Sequence, residues 1–303
     1  MPASETALPL RIGARTLFTL RRRLVRRGVS LDEALGGAAP ALPALEAGEH
    51  GYLINALPAQ QVTAVTAGAP GLRPFIRQRY RRRFARLEGD FDAYLGGFSA
   101  KSRSTCRRKL RKLTERSGGA LDLRCYRSES EIDEFHALAR ALSARTYQER
   151  LLDAGLPDGA EALAAMRALA RADRARGWLL FLEGAPIAYL WAPAQGLTLI
   201  YAHLGYDPAF ADFSPGTVLQ LEAMRQLIEE GRFRLFDFTE GEGQHKSLFA
   251  TGGIDCVDLL LVKPSPANLL AGHLLGWFDG AVALAKRTAG ALGLSRRLRR
   301  LGR

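Results

Sequence analysis

A group of ionisable residues follows a short aromatic segment in the second half of the chain. Residues Phe233 to Phe238 alternate between apolar and polar positions, which predicts a strand that carries Asp237. The polar loop after it contributes four more ionisable side chains: Glu240, Glu242, His245 and Lys246. Carboxylates, an imidazole and an amine transfer protons or stabilise developing charge, so this segment is the candidate catalytic centre.

Each of these side chains also has a structural interpretation. A carboxylate on a central strand needs a partner, so Asp237 is either a general base or half of an ion pair with Lys246. Lys246 is that partner, or a cation that neutralises an oxyanion or an acceptor carboxylate. His245 has a suitable ordinary pKa for base work, but a lone histidine in a polar loop is more often incidental. Both loop glutamates are interpreted as solvated acids, with amine binding as the alternative.

A helix start upstream of this loop is the candidate anion site. Ser214 is predicted as the N-cap and Pro215 as the first helical residue, while Gly216 and Thr217 complete the first turn. Gly231 is expected to end the helix. Unpaired N–H groups and the helix dipole attract phosphate, and glycine permits close approach.

Composition favours an anionic partner. The 303-residue chain has a net charge of +12 and a pI near 10.1, as expected for proteins that bind nucleic acid, phosphorylated molecules or anionic membranes. Basic runs lie at 77–86 and 101–116, and the second is interpreted as either a solvated helix face or a polyanion site. Three widely spaced cysteines, Cys106, Cys125 and Cys256, predict neither a disulfide framework nor a metal site.

Composition and periodicity divide the chain into four predicted segments. Residues 1–48 are expected to be a loosely ordered basic lead-in with one helix over Thr16 to Arg27, and 49–118 a degenerate αβ half ending in a basic helix. Residues 119–263 are predicted to alternate strand, two helices, three meander strands, helix, strand, short helix and strand. Residues 264–303 form the predicted C-terminal amphipathic basic helix.

Five blocks of sequence carry a family resemblance. In order, they are SRSTCRRKLRKL, TYQERLL, GAPIAYLW, GYDPAFADFSPGTVL and FDFTEGEGQHKSLF. They resemble the CelD-type family of GNAT acyltransferases, which is related to the FemAB aminoacyltransferases. The resemblance implies an α+β fold with a mixed, mostly antiparallel sheet flanked by helices. The family shows Tyr-Lys where this chain has His245-Lys246.

The same resemblance implies acyl transfer from a thioester, acetyl-CoA or a longer acyl-CoA, to an amine that attacks directly. The pantetheine arm would follow the strand Leu197 to Leu204, and the pyrophosphate would lie on the helix start from Ser214 to Val218. The implied cofactor-binding residues are Leu204, Ser214, Pro215, Gly216, Thr217 and Val218. Asp237 would accept the amine proton, and Tyr206 is a candidate for protonating the thiolate, with packing as its structural alternative.

Two rival functions follow from the same residues. An aminoacyl-tRNA donor would use the basic runs to hold RNA, and a non-catalytic module would bind a polysaccharide-synthesis or membrane complex. The acceptor is expected to be a small or envelope-linked amine. The absence of a leader-like run predicts a cytoplasmic location. The C-terminal stripe with Leu270, Leu274 and Phe278 predicts core packing or, alternatively, peripheral contact with the anionic inner membrane.

Overall fold

The computed structural model describes residues 4–12, 15–146, 155–241 and 243–291. The strands are β1 (Ser4–Ile12), β2 (Arg15–Gly28), β3 (Gly51–Pro58), β4 (Arg73–Arg86), β5 (Asp122–Tyr126), β6 (Ala175–Leu182), β7 (Ala185–Gln195), β8 (Thr198–Ile200), β9 (His203–Tyr206), β10 (Leu235–Asp237) and β11 (Gly252–Val262). The α-helices are α1 (Leu31–Gly36), α2 (Val62–Ala67), α3 (Phe91–Gly96), α4 (Ala100–Arg116), α5 (Glu129–Ser143), α6 (Ala160–Arg171), α7 (Pro215–Glu230), α8 (Gln244–Phe249) and α9 (Pro266–Ala291). Short 3₁₀ turns lie at Ala59–Gln61 and Pro208–Phe213.

Chain contacts divide these elements into two units. Unit 1 comprises Met1–Tyr80 with Asp255–Arg303, and unit 2 comprises Arg81–Ile254. Unit 1 is therefore built from both ends of the chain, and its boundaries do not coincide with those of the four predicted segments. None of the helices in the described ranges is long and apolar enough to cross a bilayer.

Unit 1 contains a sheet that begins with a long hairpin. Strand β1 pairs antiparallel with β2, β2 pairs parallel with β3, and β3 pairs antiparallel with β11. Helix α9 packs its buried Leu275 against Leu8, Leu24 and Leu260 of these strands. This cluster is the core of the unit.

The predicted helix over Thr16 to Arg27 is wrong, because these residues form β2. Leu20 and Leu24 are four residues apart, a spacing that puts two side chains on one face of a helix and also on one face of a strand. The register with β1, which places Leu8 opposite Leu20, decides between the two. That partner supplies the backbone hydrogen bonds, and local sequence does not reveal it.

The strands of unit 2, beginning with the second half of β4, follow the order β4, β10, β8, β7, β6 and β5 in the sheet, with β9 pairing with β7. Strands β10 and β8 run parallel, and the other pairs among these strands are antiparallel. Helix α7 packs into one core cluster of the unit through residues such as Leu219 and Met224, while Phe135 of α5 belongs to another. This mixed, mostly antiparallel α+β arrangement confirms the predicted fold class.

Helices α5 and α9 show how side-chain contacts fix the ends and faces of two helices. The capping box of α5 joins Ser128 and Glu131, because Glu131 accepts from the Ser128 N–H at 2.8 Å. Asp133, on the next turn, accepts from Arg167 of α6 at 2.7 Å. In α9, Leu270 and Leu274 of the stripe predicted to pack in the core are exposed, and the buried positions are Ala271 and Leu275.

Candidate functional site

The start of α7 provides hydrogen-bond donors, although not in the way that the sequence predicts. Ser214 lies at the N-cap position but in the left-handed region, with φ 53° and ψ 48°, and its side chain makes no capping bond. The side-chain cap predicted for Ser214 is therefore wrong. Its carbonyl accepts the N–H groups of Thr217 at 2.9 Å and Val218 at 3.2 Å. Pro215 has no N–H, so Gly216 provides the first N–H of the helix.

Strand β9 runs towards this helix start, and its pairing in the sheet differs from that of β8. The pairing of β8 with β10 ends at Ile200 opposite Asp237, and Tyr201 N–H donates to Asp237 O at 2.8 Å. Strand β8 lies between β10 and β7, whereas from His203 to Tyr206 the recorded pairing of the chain is with β7. The strand predicted as one element from Leu197 to Leu204 is thus two, and the change occurs at Tyr201 and Ala202.

Gly216 brings α7 close to β9. A Cβ atom at Gly216 would lie 3.1 Å from Leu204 Cδ2 and 3.3 Å from Tyr206 Cδ1. A side chain here would press against both residues, so the glycine permits the close approach of helix and strand. Tyr206, 37% exposed, therefore borders the helix start.

The basic helix α4 contributes two lysines that the sequence analysis did not include in the site. Lys109 Nζ donates to Thr217 Oγ1 at 3.2 Å, and Lys112 Nζ donates to the Asp212 carbonyl at 3.1 Å. Lys112 also lies 4.9 Å from the centre of the Phe213 ring. The i, i+3 spacing of the lysines is visible in the sequence, but the residues that they contact are not. Together with the helix dipole, they concentrate positive charge at one point.

Asp237 is 1% exposed and pairs with Arg82 rather than with Lys246. Arg82 Nε lies 3.2 Å from Oδ1 and 3.1 Å from Oδ2, and Nη2 donates to Oδ2 as well. The N–H of Thr239, which has a positive φ of 60°, donates to Oδ1 at 2.8 Å. Both oxygens of this carboxylate therefore have donors within the protein, and the side chain fixes the turn that follows β10.

Lys246, on α8, lies beside the same turn. Its Nζ donates to the Glu240 carbonyl and is 5.7 Å from the centre of the Tyr201 ring. Burial lowers the Lys246 pKa, while Glu240 and Asp237 act in the opposite direction. Burial also raises the pKa of the Tyr201 hydroxyl. Lys246 thus combines a partly desolvated amine with an aromatic neighbour.

The remaining predicted residues are only partly described. The backbone of His245 belongs to α8, but its side chain is outside the described part of the molecule, as is Glu242. Within the described residues, no cluster of three or more His, Cys, Asp and Glu side chains has the arrangement of a metal site.

The site therefore has two ends along one stretch of chain. The lysines, Gly216 and Tyr206 mark an anion-attracting end, and Tyr201 with Lys246 marks an ionisable end. Tyr206 follows Tyr201 by five positions, which corresponds to at most about 15–17 Å of extended chain. A molecule that contacts both ends would therefore be elongated.

Comparison with known proteins identifies the domain. Residues 100–247 match the family model described as an acetyltransferase (GNAT) domain. This segment is a GNAT acetyltransferase domain. It contains the basic helix α4, strands β7 to β9, the start of α7 and Lys246, so the chain carries a domain of the acyltransferase type. The predicted CelD-type placement within GNAT proteins stays a prediction.

Solved structures share the fold with low sequence identity. The C-terminal domain (DUF2156) of a putative lysylphosphatidylglycerol synthetase from Agrobacterium fabrum has a TM-score of 0.52 and 13% identity, covering 78% of this chain and 73% of that one. A crystal structure of FemX has a TM-score of 0.53 and 13% identity, covering 74% of this chain and 75% of the other. Both show the fold alone, which agrees with the predicted relation to FemAB proteins. No curated protein sequence matches the chain significantly.

We expect the Arg82–Asp237 pair to be essential for the stability of the GNAT domain. Arg82→Met or Asp237→Asn should each lower the free energy of unfolding by about 3–5 kcal/mol, because each leaves one buried polar partner uncompensated. Urea denaturation of the full chain measures this effect. The combined variant should lose less than the sum of the two single losses.

Asp122→Asn is the control, because Asp122 pairs with Arg124 at the surface. It should leave the urea midpoint unchanged. Strictly additive losses for the two buried substitutions would contradict the pairing.

Proposed function

We propose that the GNAT domain transfers an acyl group from acyl-CoA to an amine. The observation that carries the proposal is the two-ended geometry, in which an anion-attracting helix start lies one strand length from Lys246. Phosphates favour helix starts with added cations, and the ordinary chemistry of GNAT proteins uses acyl-CoA. Donors of the right kind are present: Gly216 N–H, Lys109 Nζ and Lys112 Nζ.

In this proposal the Lys109 and Lys112 ammonium groups hold the pyrophosphate, and β9 lies along the pantetheine arm. The acyl thioester is then near Tyr201 and Lys246. The acceptor nitrogen bonds to the thioester carbon, the carbon–sulfur bond breaks, and the proton released by the nitrogen passes to the leaving thiolate, which gives the amide and free CoA thiol. The Lys246 ammonium stabilises the oxygen that becomes negative during the attack.

We propose other roles for two of the predicted catalytic residues. Asp237 is poorly suited as the base that removes the amine proton, because Arg82 and Thr239 occupy its oxygens. It acts as a positioning residue for the turn that carries Glu240. Tyr206 borders Gly216 at the phosphate end, so it is proposed to line that end rather than to protonate the distant thiolate.

The full chain should bind CoA through Lys109. Lys109→Ala is expected to weaken CoA binding about tenfold, because one cation near the pyrophosphate is lost. Binding of pantetheine, which has no pyrophosphate, should be unchanged. Isothermal titration calorimetry with CoA, acetyl-CoA and a longer acyl-CoA measures this.

Lys101→Ala is the matched control, since Lys101 lies on the first turn of the same helix. It should bind CoA like the unsubstituted chain. Absence of binding by every CoA compound at millimolar concentration would remove the proposal.

Transfer should depend on the charge of Lys246. Because burial lowers the pKa of this amine, its cation is lost at a lower pH than for an ordinary lysine, so activity should fall as pH rises through that pKa. Lys246→Arg should move this fall to higher pH, and Lys246→Met should reduce kcat by about 10²–10³-fold. A pH–rate profile distinguishes the roles, since activity that increases through the same pKa would identify a neutral Lys246 acting as a base.

A second candidate donor is an aminoacyl-tRNA, which the exposed side of α4 favours. An open groove of about 520 Å³ runs along this helix and is lined by Ala100, Arg103, Ser104, Arg107, Arg108 and Arg111. Arg103 donates to backbone carbonyls, including Gly96 O at 3.0 Å, and Arg111 lies 3.7 Å from Glu115. Arg107 and Arg108 are therefore the side chains proposed to contact RNA phosphates.

If tRNA binds there, its affinity should fall steeply with salt. Arg107→Ala and Arg108→Ala should each reduce the slope of log K against log salt by about one. Arg124→Ala serves as control, because that guanidinium pairs with Asp122 on β5. Filter binding across a salt series gives the slopes, and an affinity independent of salt would exclude this donor.

A further inference from the structure

Helix α9 of unit 1 exposes an apolar face. From Pro266 to Ala281, the part of α9 where side chains are described, the exposed residues include no charged side chain. They are Pro266, Ala267, Leu270, His273, Leu274, Trp277, Gly280 and Ala281. Trp277 is 77% exposed and Leu270 61%. A surface helix ordinarily places charged side chains on this side, so the pattern calls for an apolar environment.

The helix is held with this face outward. Arg22 of β2 donates to Asn268 Oδ1 and to the Ala267 carbonyl, both at 3.1 Å. Further along, Asp279 accepts from Arg77 Nε at 2.6 Å. Asn268 and Asp279 of α9 thus bond to the body of unit 1, while Leu270, Leu274 and Trp277 are exposed.

Close packing also fixes the helix rotation. A Cβ atom at Gly272 would lie 2.5 Å from the Phe75 ring, and the His273 ring packs edge-on to Phe75 at 5.1 Å between centres. Turning α9 to bury Trp277 would bring larger side chains into this contact. The exposed apolar face is therefore built into the fold of unit 1.

The hairpin of unit 1 adds a second exposed aromatic residue. Phe18 is 60% exposed. The register places Phe18 opposite Leu10 and Leu20 opposite Leu8, so Phe18 shares the hairpin face that carries the core leucines packed with Leu275. Several arginines occupy the same strand: Arg21, Arg22, Arg23, Arg26 and Arg27.

The charge of the chain is concentrated in the same unit. Unit 1 carries 18 arginines and lysines against 8 aspartates and glutamates, a net +10, whereas unit 2 carries 25 against 23, a net +2. Apolar side chains including tryptophan, together with a large excess of arginine, match the boundary of an anionic bilayer. RNA would match the charge but would leave the apolar face of α9 in water.

We propose that the outer face of α9 docks unit 1 onto an anionic membrane surface. The helix lies in the plane of the interface, with Leu270, Leu274 and Trp277 at the boundary between head groups and acyl chains. The 16 residues from Pro266 to Ala281 make this contact about 24 Å long. The excess positive charge of unit 1 attracts the lipid phosphates.

Trp277 reports this docking directly. Trp178 and Trp191 are only 1% and 4% exposed, so an added change in tryptophan emission arises from Trp277. With the full chain, vesicles of phosphatidylcholine that contain phosphatidylglycerol should shift the emission to the blue and protect it from acrylamide. Phosphatidylcholine alone should do so weakly.

The combined variant Leu274→Ser and Trp277→Ser should lower the fraction that sediments with anionic vesicles, with an about tenfold weaker partition coefficient, because two apolar side chains no longer enter the interface. Leu35→Ser is the matched control, since Leu35 is 38% exposed on α1 of the same unit. It should bind like the unsubstituted chain. Circular dichroism checks that each variant is folded.

Three results would overturn the proposal. The first is the absence of sedimentation with anionic vesicles. The second is equal binding to neutral and anionic vesicles, which would show that lipid charge does not contribute to binding. The third is protection of Trp277 from acrylamide without lipid, with a doubled mass in light scattering. That outcome would assign the face of α9 to contact between two copies of the chain.

Discussion

The buried ion pair between Arg82 and Asp237 holds the end of β10 at the point where β8 gives way to β9. Asp237 accepts from Arg82 and Thr239 through its carboxylate, and from Tyr201 through its carbonyl. Three segments of unit 2 therefore meet at one residue. Because a buried carboxylate without such partners is costly, the positions of these segments depend on one another.

This junction separates the two ends of the candidate site. On one side, the turn after β10 leads to Glu240, whose carbonyl holds Lys246 beside the Tyr201 ring. On the other, β9 leads to Gly216 and the start of α7, where Lys109 bonds to Thr217. The strand between them sets the distance, so a molecule that contacts both ends must be extended.

Local sequence signals predicted part of this arrangement. Pro215 and Gly231 mark the ends of α7 because their backbone preferences act within a few residues, and the positions of both are confirmed. The predicted basic helix and the predicted short helix that ends at Phe249 are confirmed as α4 and α8 for the same reason. The sequence shows Lys109 as one of eight basic residues between Lys101 and Arg116. No local signal distinguishes it from Arg107, which lines the groove along α4.

The errors share a physical origin. Residues Thr16 to Arg27 were predicted as a helix because the spacing of their leucines fits a helix as well as a strand, and only the pairing of β2 with β1 decides between the two. The ion-pair alternative for Asp237 named Lys246, nine residues away, whereas the observed partner Arg82 is 155 residues distant. Ser214 has the side chain of an N-cap, but the 3₁₀ turn at Pro208–Phe213 ends with it in the left-handed region.

The sequence by itself thus determined where the helix start lies, that charge is strongly positive, and that the chain resembles GNAT proteins. These properties depend on residue type and on spacings of a few residues. Tertiary structure alone decided three features: the partner of Asp237, the bonds of Lys109 and Lys112 at and just before the start of α7, and the exposure of Trp277. Each depends on contacts between segments far apart in the chain, where packing and charge compensation select one arrangement among many that local preferences allow.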